Sequence, residues 1–181
     1  NIIGMYGNAA TNVAFPMVTL TIAFSQLAGV GTAANFNICM GARRTEDARN
    51  YVGTGLTLMS LFGVAIMVLA LALKTPFLWI GVATEAVFDY ASTYLGITAI
   101  GLPFLLVGNA MSNLIRADGS PRYAMLSSII GAVLNVILDP ICMFVIFPDG
   151  YQVMGAAVAT MISNVVSFLY FVMVYQRLKG Q

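Results

Sequence analysis

The chain has 181 residues, of which 60% are hydrophobic and only 8% are charged, and its formal net charge is +1. Soluble domains carry about 25% charged residues, so this chain lacks the polar side chains that cover a water-facing surface of ordinary size. The composition argues against a soluble enzyme or a nucleic-acid-binding domain. Because the sequence contains no histidine, it also excludes histidine metal sites and Ser–His or Cys–His catalysis within the chain. We therefore expect no enzyme activity, no resident cofactor and no nucleic-acid partner.

Five stretches are long and apolar enough to cross a bilayer, which takes about 20 mostly apolar residues in a helix. They cover 13–40, 51–73, 91–115, 123–147 and 154–176. The sequence therefore predicts an all-α membrane protein, built as a polytopic helical bundle. Three prolines lie inside these spans, where they remove backbone donors and bend helices: Pro16, Pro103 and Pro140.

Basic residues are concentrated at one set of span ends. The connections 41–50 and 116–122 and the C-terminal tail together carry seven Lys and Arg residues, whereas the opposite connections carry only Lys74. Because Lys and Arg are enriched in cytoplasmic loops, both basic loops and the C-terminus are predicted to be cytoplasmic. Asn1 would then lie outside, which fits one further helix upstream and six spans in total.

The connection 74–90 is longer than the others and carries most of the remaining features outside the spans. Trp79 is predicted to anchor the chain at the headgroup level, where tryptophan is enriched. Glu85 and Asp89, four residues apart, are predicted to lie on a short interfacial helix as solvated charges. Within the spans, Gly29 and Gly31, Gly53 and Gly55, and the step from Gly155 to Ala159 predict closely packed helices.

One carboxylate, Asp139, lies inside the fourth predicted span. With a rise of 1.5 Å per residue, it is roughly 24 Å from the start of that span at Tyr123, in the outer half of the membrane. An acid there costs about 2.5–3.5 kcal/mol on insertion scales, so it is expected to face protein or water and to have a function. Asn135 lies one turn earlier on the same face. Pro140 has no N–H, which leaves the carbonyl of residue 136 without its helical donor.

Ala156 and Thr160 lie one turn apart in the following span. A carboxylate, an amide oxygen, a hydroxyl and a spare carbonyl form a set of hard oxygens that suits a small cation such as Na⁺. The same residues suit an aspartate that takes up a proton, so both H⁺ and Na⁺ remain open. A third interpretation makes Asp139 a polar staple between helices, satisfied by Asn135 and Thr160.

Other polar residues inside the spans are individually ambiguous. Tyr94, Asn109 and Asn113 are candidates for lining a cavity, and interhelical hydrogen bonding is the alternative for each.

Several stretches together resemble the multidrug and toxic compound extrusion (MATE) transporters. VAFPMVTLTIAFSQLAGVGTAANFNICMGARRTEDA resembles that family's second helix and first cytoplasmic loop. GLPFLLVGNAMSNLIRADGSPRYAM resembles its fourth helix and the turn that follows, and NVILDP and GAAVATMIS resemble its fifth and sixth helices. The resemblance covers nearly the whole chain in order, with the same loop lengths.

The resemblance implies a twelve-helix protein of two six-helix lobes, in which this chain forms helices two to six of the N-terminal lobe. It implies antiport in a bacterial inner membrane, with inward H⁺ or Na⁺ flow driving export of amphipathic, often cationic compounds. The family's cation site matches Asn135, Asp139, Ala156 and Thr160, and Tyr94 matches a tyrosine near it. The site's remaining member, an Asp on the first helix, has no counterpart here, and the partner of this chain would be the missing C-terminal lobe.

Three other functions are weighed against this one. A flippase for lipid-linked oligosaccharides or peptidoglycan precursors would share the fold, but it is expected to meet pyrophosphate with mid-span Lys or Arg, which this chain lacks. An intramembrane protease needs two facing acids, or Ser with His, and the spans offer one acid and no His. A purely structural bundle would use Asp139 for stability alone.

Overall fold

The computed structural model describes residues 4–80, 85–147 and 151–179, and these residues form helices joined by short turns, with no strand. In chain order the α-helices are α1 (Gly4–Gly41), α2 (Thr45–Ala72), α3 (Lys74–Ile80), α4 (Glu85–Ala117), α5 (Pro121–Ile141) and α6 (Gln152–Lys179). Between α5 and α6, residues Cys142–Ile146 form a π-helical turn that continues α5.

Five of these helices are long and apolar enough to cross a membrane, which confirms the predicted all-α membrane fold. Their apolar spans are Phe15–Gly41, Thr45–Ala72, Val87–Ala117, Pro121–Ile146 and Gln152–Arg177. Each coincides with one predicted span. The largest difference is at α2, which begins at Thr45 and not at 51, so seven of the ten residues of the basic connection 41–50 are helical.

The prediction of a short interfacial helix around Glu85 and Asp89 is wrong, because both belong to the first turns of the long helix α4. No glycine or proline interrupts the chain between Glu85 and Leu95, and the buried positions Val87, Ala91 and Leu95 continue the helical period. The short helix of this connection is α3. It carries Trp79, whose ring packs against Phe88 with the ring centroids 5.4 Å apart.

Helix α4 is the central element and packs against each of the other helices. In the most apolar stretch of α4, 56% of the residues are buried. In the corresponding stretches of the other four spans, the buried share is at most 28%. The main core cluster joins Leu106 and Ile115 of α4 to Met59 of α2, Ala124 of α5 and Phe171 of α6. The outer helices expose large apolar side chains, as expected for surfaces that meet lipid or further protein.

Some of the predicted small-residue contacts form and others do not. A Cβ added at Gly29 would lie 3.1 Å from the Cα of Ala110, so α1 and α4 approach closely there, and Gly55 packs against Thr32. Gly31 and Gly53 have no atom within 4 Å of an added Cβ, so the prediction of close packing is wrong at these two positions. Both lie on the outward faces of their helices.

The ends of four helices meet at the basic end of the bundle. A cavity of about 980 Å³ opens there between α1, α2, α4 and α6, and its lining includes Met40, Thr45, Arg49, Asp118 and Tyr175. Three basic segments therefore lie on one side of the fold: the connections 41–50 and 116–122 and the end of α6. The positions of Lys and Arg in the sequence indicated that these three segments share a side. This cavity is remote from Asp139, which lies near the opposite end of α5.

Candidate functional site

The local backbone around Asp139 changes from an α-helix to a wider turn. Pro140 follows the acid directly and has no N–H to donate, and α5 ends one residue later at Ile141. In the turn that follows, the N–H of Phe147 donates to the carbonyl of Cys142 at 3.0 Å. Turns of this π type are often found at functional sites, and here the turn begins three residues after the acid.

Helix α5 separates an apolar outer face from a polar inner one. Val133, Val136 and Ile137 are 50%, 71% and 52% exposed. Asn135 and Asp139 are both half-buried, on the side that turns toward the neighbouring helices. The acid therefore does not lie on the strip of α5 that is most open to lipid.

Asn135 contacts α6 through its side chain. Its Nδ2 donates a hydrogen bond to Oγ1 of Thr160 over 3.4 Å, a long and therefore weak bond. Ala156 lies one turn before Thr160 on α6 and is half-buried as well. The structure thus brings Asn135 and Thr160 together across the interface of α5 and α6, and it places Ala156 one turn from Thr160 on its own helix.

Asp139 itself takes no part in that hydrogen bond. Its Oδ1 is buried and has no hydrogen-bond partner among the described residues. Buried polar atoms without a partner are uncommon and call for an explanation. A polar staple would bond to Asn135 and Thr160, but these two side chains bond to each other instead, which counts against the staple interpretation.

Helix α4 carries Tyr94, the tyrosine that the resemblance placed near the acid. The Tyr94 side chain is half-buried and lies within electrostatic range of the Asp139 carboxylate. One turn further along α4, Thr98 is buried, and its Oγ1 has no hydrogen-bond partner among the described residues. Sequence analysis missed Thr98; its spacing of four residues from Tyr94 was the signal available.

The two asparagines of α4 lie elsewhere. Asn113 donates from Nδ2 to Oε1 of Gln26 on α1 at 2.9 Å, which is the interhelical hydrogen bond weighed as its alternative. Asn109 lies one turn before it and is half-buried. Neither residue has a contact with the Asp139 cluster.

The cluster around Asp139 carries one formal negative charge and several neutral oxygens, drawn from three helices. The described residues contain no group of three or more His, Cys, Asp or Glu side chains that could hold a metal ion. A single carboxylate among hydroxyl and amide oxygens is matched in charge by one monovalent cation or one proton. The arrangement defines a helical membrane protein with a half-buried acid on a face that its neighbouring helices partly cover.

Comparisons with known proteins agree with this class. The profile of the MatE family matches residues 2–141, so the chain belongs to that family. It is 30% identical over 170 residues to the multidrug export protein MepA of Staphylococcus haemolyticus, which covers 93% of this chain and 37% of that protein. These relatives are transporters and not enzymes, as the sequence predicted.

Two solved structures of a multidrug resistance MATE family transporter of the MOP superfamily have the same fold as this chain. The outward-facing structure matches with a TM-score of 0.86 at 30% identity, covering 93% of this chain and 37% of that one. The inward-facing structure matches with a TM-score of 0.85 at 32% identity, covering 92% of this chain and 37% of that one. The chain thus spans little more than a third of the length of the relatives it matches, and its fold fits both conformations equally well.

Proposed function

We propose that this chain is the greater part of the N-terminal lobe of a secondary antiporter. The whole protein would export drugs or other amphipathic, often cationic compounds, driven by inward flow of H⁺ or Na⁺. In this proposal the chain contributes helices two to six of a six-helix lobe, and its partner is a C-terminal lobe of the same protein. The protein would lie in a bacterial inner membrane, with loops 41–50 and 116–122 and the C-terminus in the cytoplasm.

The observation that carries the proposal is the buried, unpartnered Oδ1 of Asp139. An acid kept in this state inside a span is costly unless a proton or cation binds it during the working cycle. Asn135 and Thr160 supply an amide oxygen and a hydroxyl near the acid, Ala156 lies one turn before Thr160, and Tyr94 of α4 is the remaining member of the proposed site.

Coupling follows from the difference in charge between the empty and the occupied site. Binding of H⁺ or Na⁺ neutralises Asp139 and favours whichever arrangement of the helices buries the neutral site better. If that arrangement binds the exported compound less well, ion binding drives release of the compound. The compound must in turn lower the affinity for the ion by the same factor as the ion lowers the affinity for the compound.

The distribution of basic residues supports drug export over lipid-linked sugar transport. All eight Lys and Arg residues lie in connections or at helix ends, and along the chain none is closer to Asp139 than Arg122, at the start of α5. The spans therefore offer no fixed cation for a pyrophosphate group, whereas a cationic compound meets an acid and neutral polar groups.

The test is Asp139→Asn in the full-length transporter, reconstituted into liposomes with imposed H⁺ or Na⁺ gradients. The substitution keeps the shape and removes the charge, so ion-driven efflux of a cationic dye should fall to the level of empty liposomes while the protein still inserts and folds. Asp89→Asn is the matched control, since it makes the same change at an exposed acid on α4 and should transport normally. Normal ion-driven export by Asp139→Asn would contradict the proposal, and lipid scrambling without dye export would indicate a flippase.

A further inference from the structure

A narrow groove lies on the surface of the bundle between α1 and α2, toward the end opposite the basic connections. Its floor is formed by Thr21 and Ala70, which are each 1% exposed, whereas Leu20 and Leu69 on its two rims are more than half exposed. The lining positions recur every three or four residues on both helices, so the groove follows the helix axes. Its volume is about 220 Å³, and it is lined by Met17, Leu20, Thr21, Phe24, Ile66, Leu69, Ala70, Leu73 and Phe77.

The side chains that line the groove offer no free polar group. Thr21, the one polar residue among them, donates its hydroxyl to the carbonyl of Met17 within α1 at 2.9 Å. The exposed polar residues Thr19 and Gln26 follow Met17 by two and nine residues, which places them about half a turn away, on the opposite side of α1. A ligand in this groove is therefore apolar where it contacts the protein. Drug-sized ligands occupy pockets of about 300–1,000 Å³, so the groove is too small for one.

The groove has the length of part of one lipid leaflet. From Phe24 to Met17 and from Ile66 to Leu73 it covers seven residue steps on each helix, or roughly 10 Å at a rise of 1.5 Å per residue. The apolar span of α2 ends at Ala72, so the groove begins at the membrane surface and ends within one half of a hydrocarbon core about 30 Å thick. A membrane-crossing helix packed here would need a matching face along the whole span, whereas an acyl chain of one leaflet needs only this stretch.

A single cation lies at the membrane-surface end of the groove. Lys74 directly follows Leu73 and precedes Phe77 by three residues, so its side chain neighbours that of Phe77 on the helix surface. The N–H of Phe77 donates to the carbonyl of Leu73 at 3.0 Å, which shows that this turn is helical. Lys74 is half-buried and forms no ion pair with a described side chain. Trp79 of the same short helix is 55% exposed, as expected for a helix at the level of the lipid headgroups.

We propose that the groove and Lys74 together bind one phospholipid, in the leaflet opposite the basic end of the bundle. The Lys74 ammonium binds the phosphate of the headgroup, and one acyl chain lies in the groove between α1 and α2. The charges are complementary, because phosphate is the anion that a phospholipid carries at this depth and lysine is a common phosphate ligand. The acyl chain covers Thr21 and Ala70 on the open side of the seam between the two helices. This site does not depend on the role of Asp139, so either proposal can fail without the other.

The test uses the full-length protein in detergent micelles, stripped of lipid, and a phosphatidylglycerol with a photoactivatable diazirine in one acyl chain. After illumination, mass spectrometry of the digested protein should find label on the rims of the groove, at Leu20 and Leu69. Lys74→Gln removes the cation and should raise the probe concentration for half-maximal labelling there by about fivefold to tenfold. Lys74→Arg keeps a phosphate-binding cation and should behave as the wild type. Arg177→Gln, which removes an exposed cation at the basic end, is the matched control and should change nothing.

A second probe distinguishes a bound phospholipid from ordinary contact with lipid. A diacylglycerol with the same diazirine chain lacks the phosphate and should label the groove no more than it labels Leu61, an exposed leucine of α2 outside the groove. Equal labelling of the groove by the two probes, or equal labelling of the wild type and Lys74→Gln, would overturn the inference, because the groove would then be plain lipid-facing surface. A groove that neither probe labels would also overturn it and would mean that another part of the full-length protein covers this face.

Discussion

A Cβ atom added at Gly155 would lie 2.8 Å from the carbonyl oxygen of Cys142 and 2.9 Å from its carbonyl carbon. The backbone of α6 therefore meets the backbone of the π-helical turn directly, without a side chain between them. Cys142 follows Asp139 by three residues, and Thr160 follows Gly155 by five. This contact between backbones consequently sets how closely α5 and α6 approach at the acid site.

Replacing Gly155 with alanine should destabilise the fold and disturb the site. The atoms that the new methyl group would meet belong to backbone, which cannot move aside as a flexible side chain can. We expect a loss of about 1–3 kcal/mol in the free energy of unfolding, the usual cost of overpacking. Thermal unfolding of the purified full-length protein in detergent measures this.

Gly53→Ala is the control for that measurement. Gly53 is exposed on α2, and an added Cβ there has no atom within 4 Å. Because alanine favours helix over glycine by about 1 kcal/mol in soluble hosts, this variant should be unchanged or more stable. Equal unfolding temperatures for the two variants would contradict the close contact at Gly155.

Ser25 ties α1 to α4 through a fully buried hydrogen bond. Its hydroxyl donates to the carbonyl oxygen of Leu106 at 2.9 Å. Interhelical hydrogen bonds in membrane proteins contribute about 0.6 kcal/mol on average and at most about 1.7 kcal/mol, so Ser25→Ala should lower stability within that range. Ser60→Ala removes an exposed hydroxyl that bonds to its own helix, at the carbonyl of Leu56, and should have a smaller effect. The ranking of the two variants in a denaturation series checks this prediction, and a reversed ranking would contradict it.

The pair of Asn135 and Thr160 distinguishes an ion site from a structural staple. A hydrogen bond of 3.4 Å is weak, so a double-mutant cycle with Asn135→Ala and Thr160→Val should give a coupling energy below about 0.6 kcal/mol for unfolding. Both single variants should instead raise the concentration of H⁺ or Na⁺ that drives half-maximal efflux. A large coupling energy for unfolding with unchanged ion dependence would mean that the pair serves to hold α5 to α6.

The sequence was sufficient for the spans because hydropathy alone selects membrane helices, and the five predicted spans match five observed helices. It was misleading at Glu85 and Asp89, since charges at a span end look the same whether they lie in a loop or in the first turns of a long helix. The buried positions Val87 and Ala91 decide that question, and their burial depends on α3 and Leu78 packing against them.

The acid site was predicted in part. The spacing of Asn135 and Asp139 places both on one face of α5, but it does not say which of them bonds to Thr160 across the helix interface. Thr98 was missed because a threonine on an apolar helix ordinarily bonds to the carbonyl one turn earlier, as Thr21 does. Whether it does so depends on a side-chain rotation that the sequence does not specify.

The proposed orientation can be tested with single cysteines at opposite ends of the bundle. Thr75 follows Lys74 at the start of α3, on the side of the bundle whose connections carry one basic residue. Asp118 lies in the basic turn between α4 and α5. Both side chains are exposed. Cys39 and Cys142 are 4% and 1% exposed, so native thiols should give little background. A membrane-impermeant maleimide added to intact cells should label Thr75→Cys and should label Asp118→Cys only after permeabilisation, because Arg and Lys mark the cytoplasmic side. The opposite labelling would invert the orientation, and Asp139 would then lie in the inner half of the membrane and receive its ion through a path from the cytoplasm.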